Sequence, residues 1–181
     1  EAEIFTKNVT GANKLDISLH LETKDKTYNT DKKRIIIGIG GSGLDKKWPI
    51  DFYKNLIVKL SKLGDFTYLI AGGDKEKEDF LFLKEKISHL KLLSLCDFNL
   101  ESCIEEMKGS YIYVGNDTGF MHISGLLGIN TFGIFGDTSI EYATYNKKIV
   151  TISPAIFSKG DFSIKNITVE DVFNKIKKKF D

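Results

Sequence analysis

Cysteine is scarce in this 181-residue chain, with Cys96 and Cys103 the only two. They form neither the framework of a disulfide-stapled domain nor the C-x-x-C spacing of a zinc site, so both read as buried thiols of a reducing compartment. An excess of one charge is missing too: 26 Lys plus Arg stand against 25 Asp plus Glu, a formal net charge of +1. That balance removes the electrostatic case for nucleic acid as a main partner, and any anion site has to be local. Long apolar runs are absent, since no stretch approaches the roughly 18 residues of a membrane span. The opening residues "EAEIFTKNVTG" hold no signal-peptide core, so the expectation is a soluble, cytoplasmic chain. There is no repeat or low-complexity segment. No group of His, Cys, Asp and Glu has metal-ligand spacing, so neither metal nor cofactor is expected.

What is present is alternation. A composition of 41% hydrophobic and 28% charged residues fills one good core. From Lys33 onward, short apolar runs alternate with amphipathic segments, the pattern of a parallel sheet wrapped by helices. The runs are "RIIIGI" (34–39), "FTYLIA" (66–71), "KLLSL" (91–95), "YIYV" (111–114), "TFGIF" (131–135) and "KIVTI" (148–152). Tyr53, Leu56, Ile57 and Leu60 mark one helix face. Leu100, Cys103, Ile104 and Met107 mark another, behind Asn99 as N-cap. The last helix, "TVEDVFNKIKKKF", places acids in its first turn behind Thr168 and lysines at its end, the order that suits a helix dipole. Residues 1–33 differ: "LDISLHL" alternates like one strand or an extended arm, and "ETKDKTYNTDKK" is a polar linker. The expected division is therefore an arm and interdomain linker over 1–33 and a doubly wound, Rossmann-like α/β domain over 34–181.

"RIIIGIGGSGLDKKWP" places Gly38, Gly40 and Gly43 in G-x-G-x-x-G spacing behind a strand. A dinucleotide fingerprint needs its third glycine to open a helix and an acid about 20 residues on for the ribose. Pro49 is tolerated only in the first turn of a helix, so the helix starts near residue 49 or 50, and the nearest acids after the second strand are Asp74 and Glu76. What remains is a long glycine-rich loop, with Lys46 and Lys47 close behind, able to bring backbone N–H groups and an ammonium onto a phosphate. An NAD-linked oxidoreductase is disfavoured.

A second segment, "YIYVGNDTGFMHISGLLGINTFGIFGDTS", runs from the fourth strand through a polar turn, Gly115 to Gly119, into a short helix. Asp117 or Thr118 can cap it and leave its first N–H groups free for an anion. His122 lies one turn beyond Thr118 and faces the same mouth. Asp117 would repel a diphosphate, so it caps the helix or accepts hydroxyls of a sugar. In a sheet of order 3-2-1-4-5-6 the first and fourth strands are neighbours at the switch point, and these two loops flank one crevice. The loop "AGGDKEKED", with Gly72, Gly73 and Glu76, lies beside it. Trp48 reads as a packing residue at the helix entrance.

Gly-x-Ser followed by Lys-x-Trp-Pro, then "GGDKE", then "GNDTGFMH" with "LLGIN" and "FGDTS" resembles the C-terminal half of the lipopolysaccharide heptosyltransferases over residues 34–140. The resemblance implies the C-terminal domain of a two-domain GT-B glycosyltransferase that binds a nucleotide-sugar donor such as ADP-heptose. By motif, Ser42 and Lys46 would touch the diphosphate, Glu76 the ribose and Phe98 the adenine. Asp117, Thr118, Gly119 and His122 would meet the diphosphate and sugar. It further implies inverting transfer, without a metal, to lipopolysaccharide core or a related glycan. The catalytic base and acceptor site would lie in an N-terminal domain absent from this sequence. A cytoplasmic position at the inner face of the bacterial inner membrane follows, allowing peripheral membrane association of the full-length protein. Asn130 stands where the family usually has proline, and "FGDTSI" where it has an "FGPTxP"-like loop; both border the donor sugar. A non-catalytic nucleotide-binding module of the same fold is the alternative.

Overall fold

The computed structural model describes residues 31–41, 43, 46–136, 140–143, 145–154 and 163–180. The arm over 1–30, Ser42 and the loop residues Asp137, Thr138 and Ser139 lie outside the described residues. Six strands, β1 (Asp31–Gly38), β2 (Thr67–Ala71), β3 (Lys91–Ser94), β4 (Ser110–Asn116), β5 (Asn130–Ile134) and β6 (Ile149–Ile152), form one sheet in the order β3-β2-β1-β4-β5-β6. Every pairing is parallel.

The apolar runs of the central strands follow from burial on both faces. In β1, Ile35 and Ile37 enter one core and Ile36 the other, all without exposed surface. The first core is closed by α1 (Ile50–Leu60), α2 (Lys77–Lys86) and α5 (Val169–Lys177), through Tyr53, Leu56, Ile57, Leu60, Leu83, Val172 and Ile176. The second is closed by α3 (Leu100–Met107) and α4 (Gly119–Leu126), through Cys103, Met107 and Met121. The chain winds outward from β1 to β3 over one face. It then crosses by α3 and winds outward again over the other, so the reversal falls between β1 and β4, where the sheet opens a crevice.

Local chemistry sets the helix ends. Pro49 occupies the position before Ile50 and α1 starts there. Asn99 accepts from the Ser102 N–H at 2.8 Å to cap α3. In α5, Thr168 Oγ1 accepts from the Asp171 N–H while the Asp171 carboxylate accepts from the Thr168 N–H, each at 3.1 Å, a reciprocal cap. Trp48 is 2% exposed, donates from Nε1 to the Ile167 carbonyl at 2.8 Å and stands edge-on to Phe52 and Tyr53, so it ties α1 to the chain entering α5.

Three elements depart from expectation. The first strand begins at Asp31, before the apolar run, because Asp31 already pairs with Ser110. Leu100 is 58% exposed: it opens α3 over the crevice, and Cys103 and Met107 carry the burial. The expected Gly115–Gly119 turn is shorter, since β4 continues through Asn116 with Gly115 paired to Gly38 on one side and Gly133 on the other. Among the described residues no helix is long and apolar enough to cross a membrane.

Candidate functional site

At the base of the crevice β1 and β4 approach closely at their carboxyl ends. A Cβ on Gly115 would lie 2.4 Å from the Gly38 carbonyl oxygen, so this pairing requires glycine. One residue later, Asn116 is fully buried and uses all its side-chain hydrogen-bonding capacity. Its Oδ1 accepts from the Trp48 N–H at 3.0 Å and faces the Tyr53 hydroxyl at 2.9 Å. Its amide donates to the carbonyls of Ile39, at 3.2 Å, and Gly40, at 2.8 Å. One side chain thereby fixes the glycine turn after β1, the entrance to α1 and the end of β4 relative to one another.

A cavity of about 630 Å³ opens between these loops. Gly40 and Gly41 line it from β1, Gly72, Gly73 and Glu76 from β2, Leu100 from α3, and Asp117, Thr118, Gly119, Phe120, His122 and Ile123 from the start of α4. Thr118 occupies the N-cap position of α4 without a side-chain cap, and the first turn carries no acid. The leading N–H groups of α4 are therefore available to an anion. Asp117, expected either to cap or to accept hydroxyls, does not cap. Its Oδ1 lies 3.5 Å from His122 Nε2, while His122 Nδ1 meets the Tyr145 hydroxyl at 2.7 Å with the two rings stacked. Burial, reinforced by Asp117, raises the Tyr145 pKa above its usual value. Asp117 and Tyr145 thus stand at the two ring nitrogens of His122.

The sequence-derived residues separate into groups. Glu76, Asp117, Thr118, Gly119 and His122 meet around the cavity. Phe98, 46% exposed, lies in an adjoining cavity of about 470 Å³ that shares Gly72, Gly73, Leu100 and Phe120 with the first. Lys46 is exposed and does not line either cavity. Ser42 lies outside the described residues. Sequence reasoning missed Asn116 and Tyr145 as site residues, and it gave Lys47 no role of its own, although Lys47 Nζ donates to Glu76 Oε1 at 2.6 Å. A lysine one position before Trp-Pro was the available signal for Lys47; a buried asparagine and a tyrosine 23 positions from its histidine carry no local pattern. Among the described residues no group of three or more His, Cys, Asp and Glu is placed to hold a metal ion.

Residues 5–168 match the model of glycosyltransferase family 9 (heptosyltransferase). Lipooligosaccharide heptosyltransferase 2 of Campylobacter jejuni serotype O:6 is 25% identical over 164 residues, covering 81% of this chain and 51% of the relative. Lipopolysaccharide heptosyltransferase 1 of Campylobacter coli is 27% identical over 166 residues, covering 83% and 47%. The structure of E. coli ADP-heptose lps heptosyltransferase II aligns with a TM-score of 0.72 at 20% identity, over 82% of this chain and 46% of that one. E. coli heptosyltransferase WaaC with ADP-2-deoxy-2-fluoro heptose aligns with a TM-score of 0.69 at 20% identity, over 82% and 44%. The chain spans about half the length of the curated relatives it matches.

Proposed function

The chain belongs to glycosyltransferase family 9, the heptosyltransferases, and from that premise we propose that it is the donor-binding half of an inverting glycosyltransferase. Its donor is a nucleotide sugar of the ADP-heptose type, and the acceptor is lipopolysaccharide core or a related surface glycan. One observation carries this reading: the uncapped start of α4, the bare glycine loops after β1 and β2, and the polar side chains Glu76, Asp117 and His122 converge on a single crevice. Glycines admit a ligand's phosphates to the backbone, and helix N–H groups stabilise their charge. The solved WaaC structures with ADP and with ADP-2-deoxy-2-fluoro heptose support the donor class.

In this scheme the departing diphosphate gains negative charge as the anomeric carbon is attacked. The α4 N-terminus offsets that charge at fixed positions, so no reorganisation is needed during transfer. Lys46, exposed and without a side-chain partner among the described residues, is the cation that completes the phosphate site, together with Ser42. Asp117 accepts hydroxyls of the transferred sugar, Glu76 those of the ribose, and the smaller cavity beside Phe98 takes the base. The catalytic base and the acceptor site belong to the remainder of the protein, which works at the cytoplasmic face of the inner membrane.

Titration calorimetry of the chain with ADP and with ADP-heptose tests the reading. Both ligands bind, and Asp117→Asn weakens ADP-heptose more than ADP, because it removes a charged acceptor for sugar hydroxyls while relieving repulsion of the diphosphate. A charged hydrogen bond contributes about 1.5–3 kcal/mol, so the selective loss is about tenfold or more. Equal affinities in wild type and variant for both ligands would remove the crevice from donor recognition. Donor binding with no transfer by the complete protein would identify a non-catalytic module.

A further inference from the structure

An ion pair is built into the wall of the crevice from a residue that does not line it. The Glu76 side chain is 7% exposed and the Lys47 side chain 22%. Lys47 Nζ donates to Oε1 at 2.6 Å, and the Gly73 N–H donates to Oε2 at 2.7 Å. The lysine stem reaches the carboxylate by lying across Gly41, where a Cβ would stand 2.7 Å from Lys47 Cγ. Each carboxylate oxygen thus has one hydrogen-bond partner among the described residues. The approach to Oε2 is bordered by Gly40 and Gly73, whose positions would hold a Cβ 3.8 and 3.6 Å from it and which carry no side chain. The carboxylate is gripped from the wall and open toward the cavity.

Charge explains why such a grip is needed. A buried carboxylate facing a crevice meant for an anionic ligand is unfavourable twice over, by desolvation and by repulsion, unless a cation is paired with it. Asp79, half-buried on α2, adds a second carboxylate within electrostatic reach of both Glu76 and Lys47. Lys47 is the cation placed to balance them.

We propose that Lys47 is a positioning residue for Glu76: it offsets the carboxylate's charge and fixes its orientation, so that the crevice accepts a nucleoside diphosphate and presents a rigid acceptor to the ligand's vicinal hydroxyls. Lys47 acts through Glu76 and does not touch the ligand. The assignment rests on the nucleotide-sugar reading above. It separates two adjacent lysines, Lys46 as an exposed phosphate contact and Lys47 as part of the wall.

The test is calorimetric titration of the chain with ADP and with 2′,3′-dideoxy-ADP, which lacks the hydroxyls. Wild type prefers ADP. In Lys47→Met, which keeps the stem and removes the charge, ADP binds about tenfold more weakly and the preference over the dideoxy ligand collapses, since the loss of one charge-assisted contact suffices for that change. Lys47→Arg restores most of the preference, and Lys47→Met combined with Glu76→Gln is no weaker than Glu76→Gln alone. Thermal melts confirm folding, and Lys47→Gln replaces Lys47→Met if the latter does not fold. A Lys47→Met variant that weakens both ligands equally while keeping the preference, or whose effect adds to that of Glu76→Gln, overturns the proposal in favour of direct phosphate contact. If wild type binds neither ligand, the nucleotide-sugar reading fails and this assignment falls with it; if wild type binds with a preference that Lys47→Met retains, only this assignment falls.

Discussion

At Asn116 a single amide decides how two loops face each other, and its chemistry makes the dependence testable. Asn116→Asp is nearly isosteric, yet it replaces two N–H donors with an oxygen directed at the Ile39 and Gly40 carbonyls, 3.2 and 2.8 Å away. Leaving two buried carbonyls unsatisfied costs about 1–3 kcal/mol each, and a buried carboxylate adds to that. The expected result in urea denaturation is a loss of several kcal/mol, together with loss of ADP binding. The neighbouring Asp117→Asn leaves the urea midpoint nearly unchanged, because the Asp117 side chain does not cap α4 and, among the described residues, its ion-pair partner is His122 at 3.5 Å. Equal midpoints for the two variants would show that Asn116 does not hold the turn. The contrast also marks what a sequence can disclose. In "GNDTG" the glycines, aspartate and threonine announce themselves through turn and cap chemistry, whereas the role of Asn116 depends on Trp48 and Tyr53, more than 60 positions away.

Elements were legible to the extent that their signals are local. Each of the six strands overlaps one of the apolar runs, because the central strands of a sheet covered on both faces leave little room for polar residues. The caps at Asn99 and Thr168 depend on a residue and its neighbour three positions on, so they could be read directly. The carboxyl end of β4 could not, because Gly115 looks like a turn residue until Gly38 and Gly133 are known to flank it. That close packing gives an element-scale prediction. Gly115→Ala would place its methyl group 2.4 to 2.7 Å from the backbone oxygen, Cα and nitrogen of Gly38. Backbone in the middle of a sheet cannot yield as a flexible side chain can, so β1 and β4 must separate. Overpacking of this kind costs about 1–3 kcal/mol or more. Because the strain falls at the base of the crevice, ADP affinity should decline in protein that remains folded. An alanine variant with wild-type stability and affinity would mean that the strands tolerate a wider spacing than the fold displays.

Considered as a whole, the molecule places aromatic hydroxyls in its interior, and this makes its stability depend on alkaline pH. Burial raises the pKa values of Tyr53, Tyr68 and Tyr113 above the ordinary phenol value of 10.0, with a further contribution to Tyr53 from neighbouring Tyr113. All three rings are fully buried, and Tyr53 and Tyr113 stand beneath the crevice, bonded to Gly38 or Asn116. In the folded chain these phenols keep their protons above pH 10, whereas in the unfolded chain they release them. The unfolded state then binds fewer protons, and stability falls as pH rises. The full contribution is present below about pH 10, and the loss begins there at about 1.4 kcal/mol per pH unit for each tyrosine. Lysines titrate in the same range, so the slope of wild type alone would not identify the tyrosines. Tyr53→Phe and Tyr113→Phe provide the discrimination: each is less stable than wild type at pH 8, where a hydrogen bond is missing, and each loses stability less steeply between pH 10 and 11. Urea denaturation at pH 8, 10 and 11 measures both effects. Parallel pH profiles for wild type and both phenylalanine variants would show that the buried phenols ionise as freely in the folded chain as in the unfolded one.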